Sequence, residues 1–211
     1  MTTLRAESVS HAAANLLANV EVRTGIERVL ESAGVTTSEA ISMIAGGESW
    51  TQSLDFRCEP AGRQVDGIET AAIMDTHDDL AGTLMVGCRK DAVEEVSTLL
   101  TSLGSGQSLG VNERAQEAAN IIGSAYLNGL RSTLDGVDLS ARTFLPSPPR
   151  FLRSSVETMM EMAVGGQALG DRGWIADHRL RSGAIQVVLV WIPTAEAIVT
   201  LGTMAPPPVP A

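Results

Sequence analysis

The sequence predicts an α+β fold, helices laid on a sheet in an α/β two-layer arrangement, built as two related halves. Two observations carry this. Of the 211 residues 44% are apolar but only 3% aromatic, so the core has to be filled by Leu, Ile, Val, Met and Ala, which suits helices packed on a sheet. The order helix, strands, helix also occurs on both sides of a Gly/Ser connector, "GSGQSLG" at 104–110, although the two sides barely match residue by residue. The expected organisation is a single domain over 1–204, with halves of about 1–104 and 105–204, followed by a disordered Pro-rich tail, "APPPVPA" at 205–211.

The elements follow in order. Residues 3–22 and 25–33 are rich in Ala, Leu and Glu and read as helices broken near Thr24-Gly25, and "TTSEAISMIAGG" at 36–47 offers a hydroxyl cap, a helical run and a glycine stop. From residue 49 to 88 the texture becomes β-like in "WTQSLDFRC", "QVDGIETAAIMDT" and "LAGTLMVGC", divided by the turn compositions "EPAGR" and "DTHDD". "KDAVEEVSTLLTSL" returns to helical spacing before the connector. A long helix then runs from about Val111 to Ser132. "DGVDLSARTFLPSPPR" reads as a loop and a strand ended by Pro146, Pro148 and Pro149, and "FLRSSVETMMEMAVGG" as a helix with a glycine stop. "WIADHRLRSG" and "AIQVVLVWIP" form a hairpin pair.

Charge and cysteine usage narrow the function. The net charge is −10, and Lys90 is the single lysine. No basic stripe follows a phosphate backbone, which argues against nucleic acid and anionic membrane as partners. Cys58 and Cys88 lack metal-type spacing, and the N-terminal residues show no basic region followed by an unbroken apolar one. No window reaches the roughly twenty apolar residues needed to span a bilayer. The expectation is a cytoplasmic protein with reduced thiols and no membrane insertion.

The long helix carries the most informative pattern. At 100° per residue, Glu113, Glu117, Asn120, Ser124 and Asn128 fall within about 80° of arc, while Ala115, Ala118, Ala119, Ile122, Ala125, Tyr126 and Gly129 occupy the opposite side. The plain reading is a solvated helix face. Against it, the stripe holds carboxylates, amides and a hydroxyl with no cation inside it before Arg131, so it is not arranged for i, i+4 ion pairing. Leu127 projects close to Asn120 and Gly123 lies nearby, which suggests an apolar knob and a dent on a docking surface. Glu117 and Asn120 are an i, i+3 pair with Cβ atoms about 5–6 Å apart, near enough for one to hold a partner while the other reaches a reacting group.

At "QEAANIIGSAYLNGL" the chain resembles the CheC/CheX/FliY phosphatases of chemotaxis, whose motif is an Asp or Ser, three residues, Glu, two residues, Asn, and a Pro further on. Glu117-Ala-Ala-Asn120 matches its centre. "DLAGTLMVG", "DAVEEVSTLL" and "SPPR" are similar to the flanking strand, helix and turn, so the resemblance covers roughly 78–165. Glu113 stands where Asp or Ser is usual, and Pro146 follows Asn120 after twenty-five intervening residues, a longer spacing than the family's. The family's second copy of the motif, sought on the first helix, places Ala12 at the Glu position and Asn15 at the Asn position. That first site is expected to be degenerate.

The resemblance implies a CheC-like fold, two pseudo-symmetric halves with a mainly antiparallel sheet packed by long helices. It implies hydrolysis of the aspartyl phosphate of the response regulator CheY, a two-component signalling step. Glu117 would dock the CheY lysine and Asn120 would orient the attacking water, with Glu113, Ser124, Leu127 and Asn128 shaping the contact. Glu117 as a general base is the other chemical reading. No cofactor or metal of its own is implied, since the Mg²⁺ belongs to CheY. The rival expectation is a non-catalytic adaptor or flagellar-switch component that binds CheY or the deamidase CheD with the same helix.

Other candidates receive structural readings. "DTHDD" is a turn in which metal binding is not expected. His178 and His11 have no nucleophile motif beside them and read as surface residues. Cys58 and Cys88 read as small packed hydrophobes, and the methionines of "VETMMEMAVGG" as a core-facing stripe.

Overall fold

The computed structural model describes residues 2–60, 68–96, 110–134, 146–152, 158 and 172–204. Helix α1 spans Thr2–Ala18 and α2 spans Val20–Ile44. Asn19 divides them, because its extended backbone leaves the helix and its Oδ1 accepts the Glu21 and Val22 amides at 3.0 and 3.4 Å. The break expected at Thr24-Gly25 therefore falls earlier, and Gly25 is buried within α2. "TTSEAISMI" continues α2 without a cap of its own.

Strands β1 (Thr51–Pro60), β2 (Thr70–Thr76) and β3 (Gly82–Cys88) follow, then the long helix α3 (Val111–Leu134). Strands β4 (Arg150–Leu152), β5 (Arg172–Ser182) and β6 (Ile185–Pro193) and helix α4 (Ala195–Met204) complete the described chain. The strand expected before the prolines lies outside the described residues; β4 begins directly after them, so Phe151 and Leu152 extend a strand where a helix was expected to start. Ser147 anchors this turn: its amide donates to the Asp75 carbonyl at 2.9 Å and its hydroxyl accepts from the Asp75 amide at 2.8 Å. The β5–β6 hairpin is as expected, turning at Gly183 and Ala184 with Gly183 at φ 56, a backbone that favours glycine. The methionine stripe, most of "VSTLLTSL" and the tail at 205–211 lie outside the described residues.

All six strands form one antiparallel sheet in the order β1-β5-β6-β3-β2-β4. This order reads the same from either edge when β1 is exchanged with β4, β2 with β5 and β3 with β6, so the two halves are related by a pseudo-two-fold between β3 and β6. Each half lends its first strand to the other: β1 pairs with β5, and β4 with β2. The same exchange makes α2, which leads into β1, the counterpart of α3, which leads into β4. The expected α+β fold of two pseudo-symmetric halves is the fold found.

Alternation along the strands separates two apolar faces. Met74, Leu84, Val86, Leu189 and Trp191 meet the helices, while Ile73, Met85, Val188, Val190 and Ile192 form a second cluster on the opposite face. Trp191 and Tyr126 are fully buried between α3 and the sheet. His178 is not at the surface. It lies at 0% exposure on β5, because the alternation that turns Ala176 and Leu180 toward the helices turns His178 with them.

Candidate functional site

Helix α3 starts at Gly110, whose carbonyl accepts the Arg114 amide at 3.0 Å and whose amide donates to Glu113 Oε2 at 2.9 Å. A glutamate reaching back to the residue that opens the helix is half of a capping box. Glu113 is thus engaged in the helix start, at an exposed position, whatever else it contacts.

Three contacts on the buried side fix how α3 lies. Gly123 rests on β2 and β3, where an added Cβ would come within 2.8 Å of Met74 Cε and 3.1 Å of Leu84 Cδ2. One turn on, the Tyr126 hydroxyl and His178 Nε2 share a hydrogen bond at 3.1 Å, with the rings edge to face. Burial pushes the Tyr126 hydroxyl pKa up and takes that of His178 down to about 3, so both are neutral in the fold. Near its end, Gly129 crosses α2, where a Cβ would sit 2.9 Å from Ala33 Cα, and Thr133 donates to Ser32 Oγ at 3.0 Å.

Those contacts leave the polar line turned away from the core. Glu117 and Asn128 are exposed, and Asn120 and Ser124 are half-buried. Asn120 stands at the border of the buried sector, and Leu127, about 20° further round toward the sheet, is buried at 1% exposure. Leu127 is therefore part of the core and not an apolar knob, and Gly123 is a packing contact and not a surface dent. What remains outward is a carboxylate and an amide one helical turn apart, flanked by a hydroxyl and a second amide.

Asn15 does not stand on the counterpart of α3. It is exposed on α1, whereas the strand exchange sets α3 against α2, so the register giving Ala12 and Asn15 the motif positions is not the structural one. In the acidic turn, His77 is exposed, Asp78 adopts φ 57 in a short 3-10 turn, and Asp75 pairs with Arg150 at 3.4 Å. Among the described residues, no group of three His, Cys, Asp or Glu side chains is placed to hold a metal ion, and no helix is long and apolar enough to cross a membrane. Cys88 is buried beside Val93 and Ala115, and its thiol pKa is pushed up by burial.

The residue missed in the sequence is His178, the anchor beneath the helix. Its signal is in the sequence, since Trp174, Ala176, His178 and Leu180 are an alternating set, whereas the surface reading rests on the lack of a nucleophile motif beside the histidine and does not use that alternation.

No family model and no curated protein matches the sequence. Solved structures match the fold. Thermotoga maritima FliY superposes with a TM-score of 0.65 at 14% identity, covering 88% of this chain and 96% of that one. The FliM middle domain from H. pylori gives 0.60 at 11% identity, covering 88% and 98%. CheX from Desulfovibrio desulfuricans gives 0.51 at 10% identity, covering 79% and 99%. The fold shared with these proteins is the CheC-like fold.

Proposed function

We propose that the chain is a cytoplasmic phosphatase that hydrolyses the aspartyl phosphate of the chemotaxis response regulator CheY. The observation that carries this reading is the placement of Glu117 and Asn120, one turn apart and outward on a helix pinned to its sheet by the Tyr126–His178 bond. A convex helix face suits a protein substrate whose reactive group is itself exposed. Glu117 accepts a charge-assisted hydrogen bond from the CheY lysine and seats α3 over the phosphoryl site. Asn120 then orients a water in line with phosphorus, its amide accepting from that water while donating to a phosphoryl oxygen. The amide cannot take the proton, which passes to solvent or phosphate, and the gain comes from positioning. The metal ion in this reaction is the substrate's Mg²⁺, and the P–O bond to the CheY aspartate breaks as water adds.

A second reading, a non-catalytic adaptor or flagellar-switch component binding CheY or CheD through α3, is favoured by one observation: the FliM middle domain superposes better than CheX. An H. pylori FliM of the same fold is known in complex with FliG, at a TM-score of 0.57. The decay of phosphorylated CheY separates the readings. Wild type should accelerate it and Asn120→Ala should not, with Glu117→Ala slowed through weaker binding. If wild type leaves the decay rate unchanged, the phosphatase reading is wrong.

A further inference from the structure

The pseudo-two-fold supplies a register between the halves that the sequence does not show. The β3–β6 ladder runs from Gly82 opposite Pro193 to Cys88 opposite Val187, so the exchange maps Leu84 onto Leu189. Their partners on the neighbouring strands are Met74 and His178. Each is met by a helix glycine: Gly123 of α3 lies on Met74, and Gly34 of α2 lies on His178, where an added Cβ would sit 2.6 Å from Nδ1. Setting Gly34 on Gly123 places Ile26, Val29, Leu30, Ala33, Thr37 and Ile41 on Ala115, Ala118, Ala119, Ile122, Tyr126 and Leu130, and every member of both sets is buried. The outward line Glu113, Glu117, Asn120, Ser124, Asn128 then corresponds to Thr24, Arg28, Glu31, Val35, Glu39. Of these, Arg28, Glu31, Val35 and Glu39 are exposed and Thr24 is half-buried.

We infer that Arg28 and Glu31 determine specificity by closing the first half's copy of the docking face, so that one chain takes one phosphorylated regulator, on α3. This rests on the proposed function, since it assumes that α3 receives a regulator through its lysine. Arg28 stands where Glu117 stands and presents a guanidinium to that lysine. Glu31 stands where Asn120 stands and presents a carboxylate to an anionic phosphoryl group. Both contacts change from attraction to like-charge repulsion, which excludes a partner more effectively than the loss of an attractive group. The α2 face keeps its exposure and curvature, and its chemistry is inverted at the two positions that matter.

The test counts CheY bound per full-length chain by calorimetry, using CheY loaded with beryllofluoride and Mg²⁺ as the phosphoryl mimic. Wild type should saturate at one, and Glu117→Lys should weaken binding by more than about tenfold. Adding Arg28→Glu and Glu31→Asn to Glu117→Lys should restore one site of α2 origin, at least about tenfold tighter than Glu117→Lys alone. The same pair in the wild-type background should raise the count to two. Two regulators on wild type overturn the inference whatever the variants do. It also fails if wild-type binding depends on Glu117 but the triple variant, folded by circular dichroism, binds no better than Glu117→Lys. If wild type does not bind, or Glu117→Lys binds as wild type does, the α3 reading itself falls and takes the inference with it.

Discussion

Replacing Gly129 by alanine tests whether the α2–α3 crossing holds the site helix in place. The added methyl would lie 2.9 Å from Ala33 Cα, 3.0 Å from the Ala33 carbonyl oxygen and 3.0 Å from Thr36 Cβ. Carbon atoms rest about 3.5–4.0 Å apart, so the helices have to separate by roughly 0.5–1 Å. The obstacle is main chain, which cannot swing aside. Overpacking costs about 1–3 kcal/mol, and against unyielding main chain the upper part of that range applies, about 2–3 kcal/mol, offset by about 1 kcal/mol for the better helix former. The expected net loss is about 1–2 kcal/mol, a fall in Tm of about 2–8 °C for a chain of this length. Gly123→Ala is the control on the same helix, with the same propensity gain. Its methyl meets the Met74 thioether end and a Leu84 methyl, which can shift, so its net effect should be near zero. Urea unfolding followed by circular dichroism reads both, as a lower midpoint with unchanged slope for Gly129→Ala. A Gly129→Ala protein as stable as wild type, or one less damaged than Gly123→Ala, would refute the reasoning.

Further outcomes follow from the buried pair and the outward one. His178 is held neutral with its pKa down at about 3 against an ordinary value of 6.5, so below pH 6.5 the unfolded chain binds a proton that the native one does not. The stability this contributes is complete above pH 6.5 and falls on acidification toward pH 3 by up to about 1.4 kcal/mol per unit. Denaturation midpoints between pH 6.5 and 5 should show the slope, and His178→Gln should flatten it. Tyr126→Phe strips the partner from a buried imidazole nitrogen and should cost about 1–3 kcal/mol in urea unfolding. Glu117→Gln should weaken binding of activated CheY by about tenfold or more, the worth of a charge-assisted hydrogen bond, whereas Asn120→Ala should bind within a few-fold and lose turnover in single-turnover assays. Cys58, half-buried, should react with a thiol reagent well before Cys88, whose thiol is buried and harder to ionise.

The parts of the molecule legible in the sequence are those where one local rule acts without competition. The β5–β6 hairpin was readable because apolar strands flank a glycine turn, and α3 because its polar and small residues alternate at helical period. The start of α2 was misread because Thr24-Gly25 looks like a breaker, whereas Asn19 holds the cap and Gly25 is buried. Leu127 was misplaced because a projection orders residues around a helix without saying how wide the buried sector is, and its edge falls between Asn120 and Leu127. The counterpart of the site was sought on the wrong helix for a different reason. Which helix answers to α3 is a property of strand order, and strand order is set by pairings between residues far apart in the chain.

The exchange of β1 and β4 between the halves bears on how the chain is born. Thr51 pairs with Arg181, and its hydroxyl contacts the Arg181 carbonyl across 130 residues. Thr51 leaves the ribosome 130 residues ahead of the partner that meets its hydrogen bonds. At about 5–20 residues per second, that lead is roughly 6–26 s, during which β1 is an open edge able to pair with a neighbouring chain. Long-range pairing of this kind also makes folding slow. In assembly terms the molecule is a strand-swapped dimer whose two subunits share one covalent link, and its halves are expected to be sticky when made separately and to recover a native sheet when mixed.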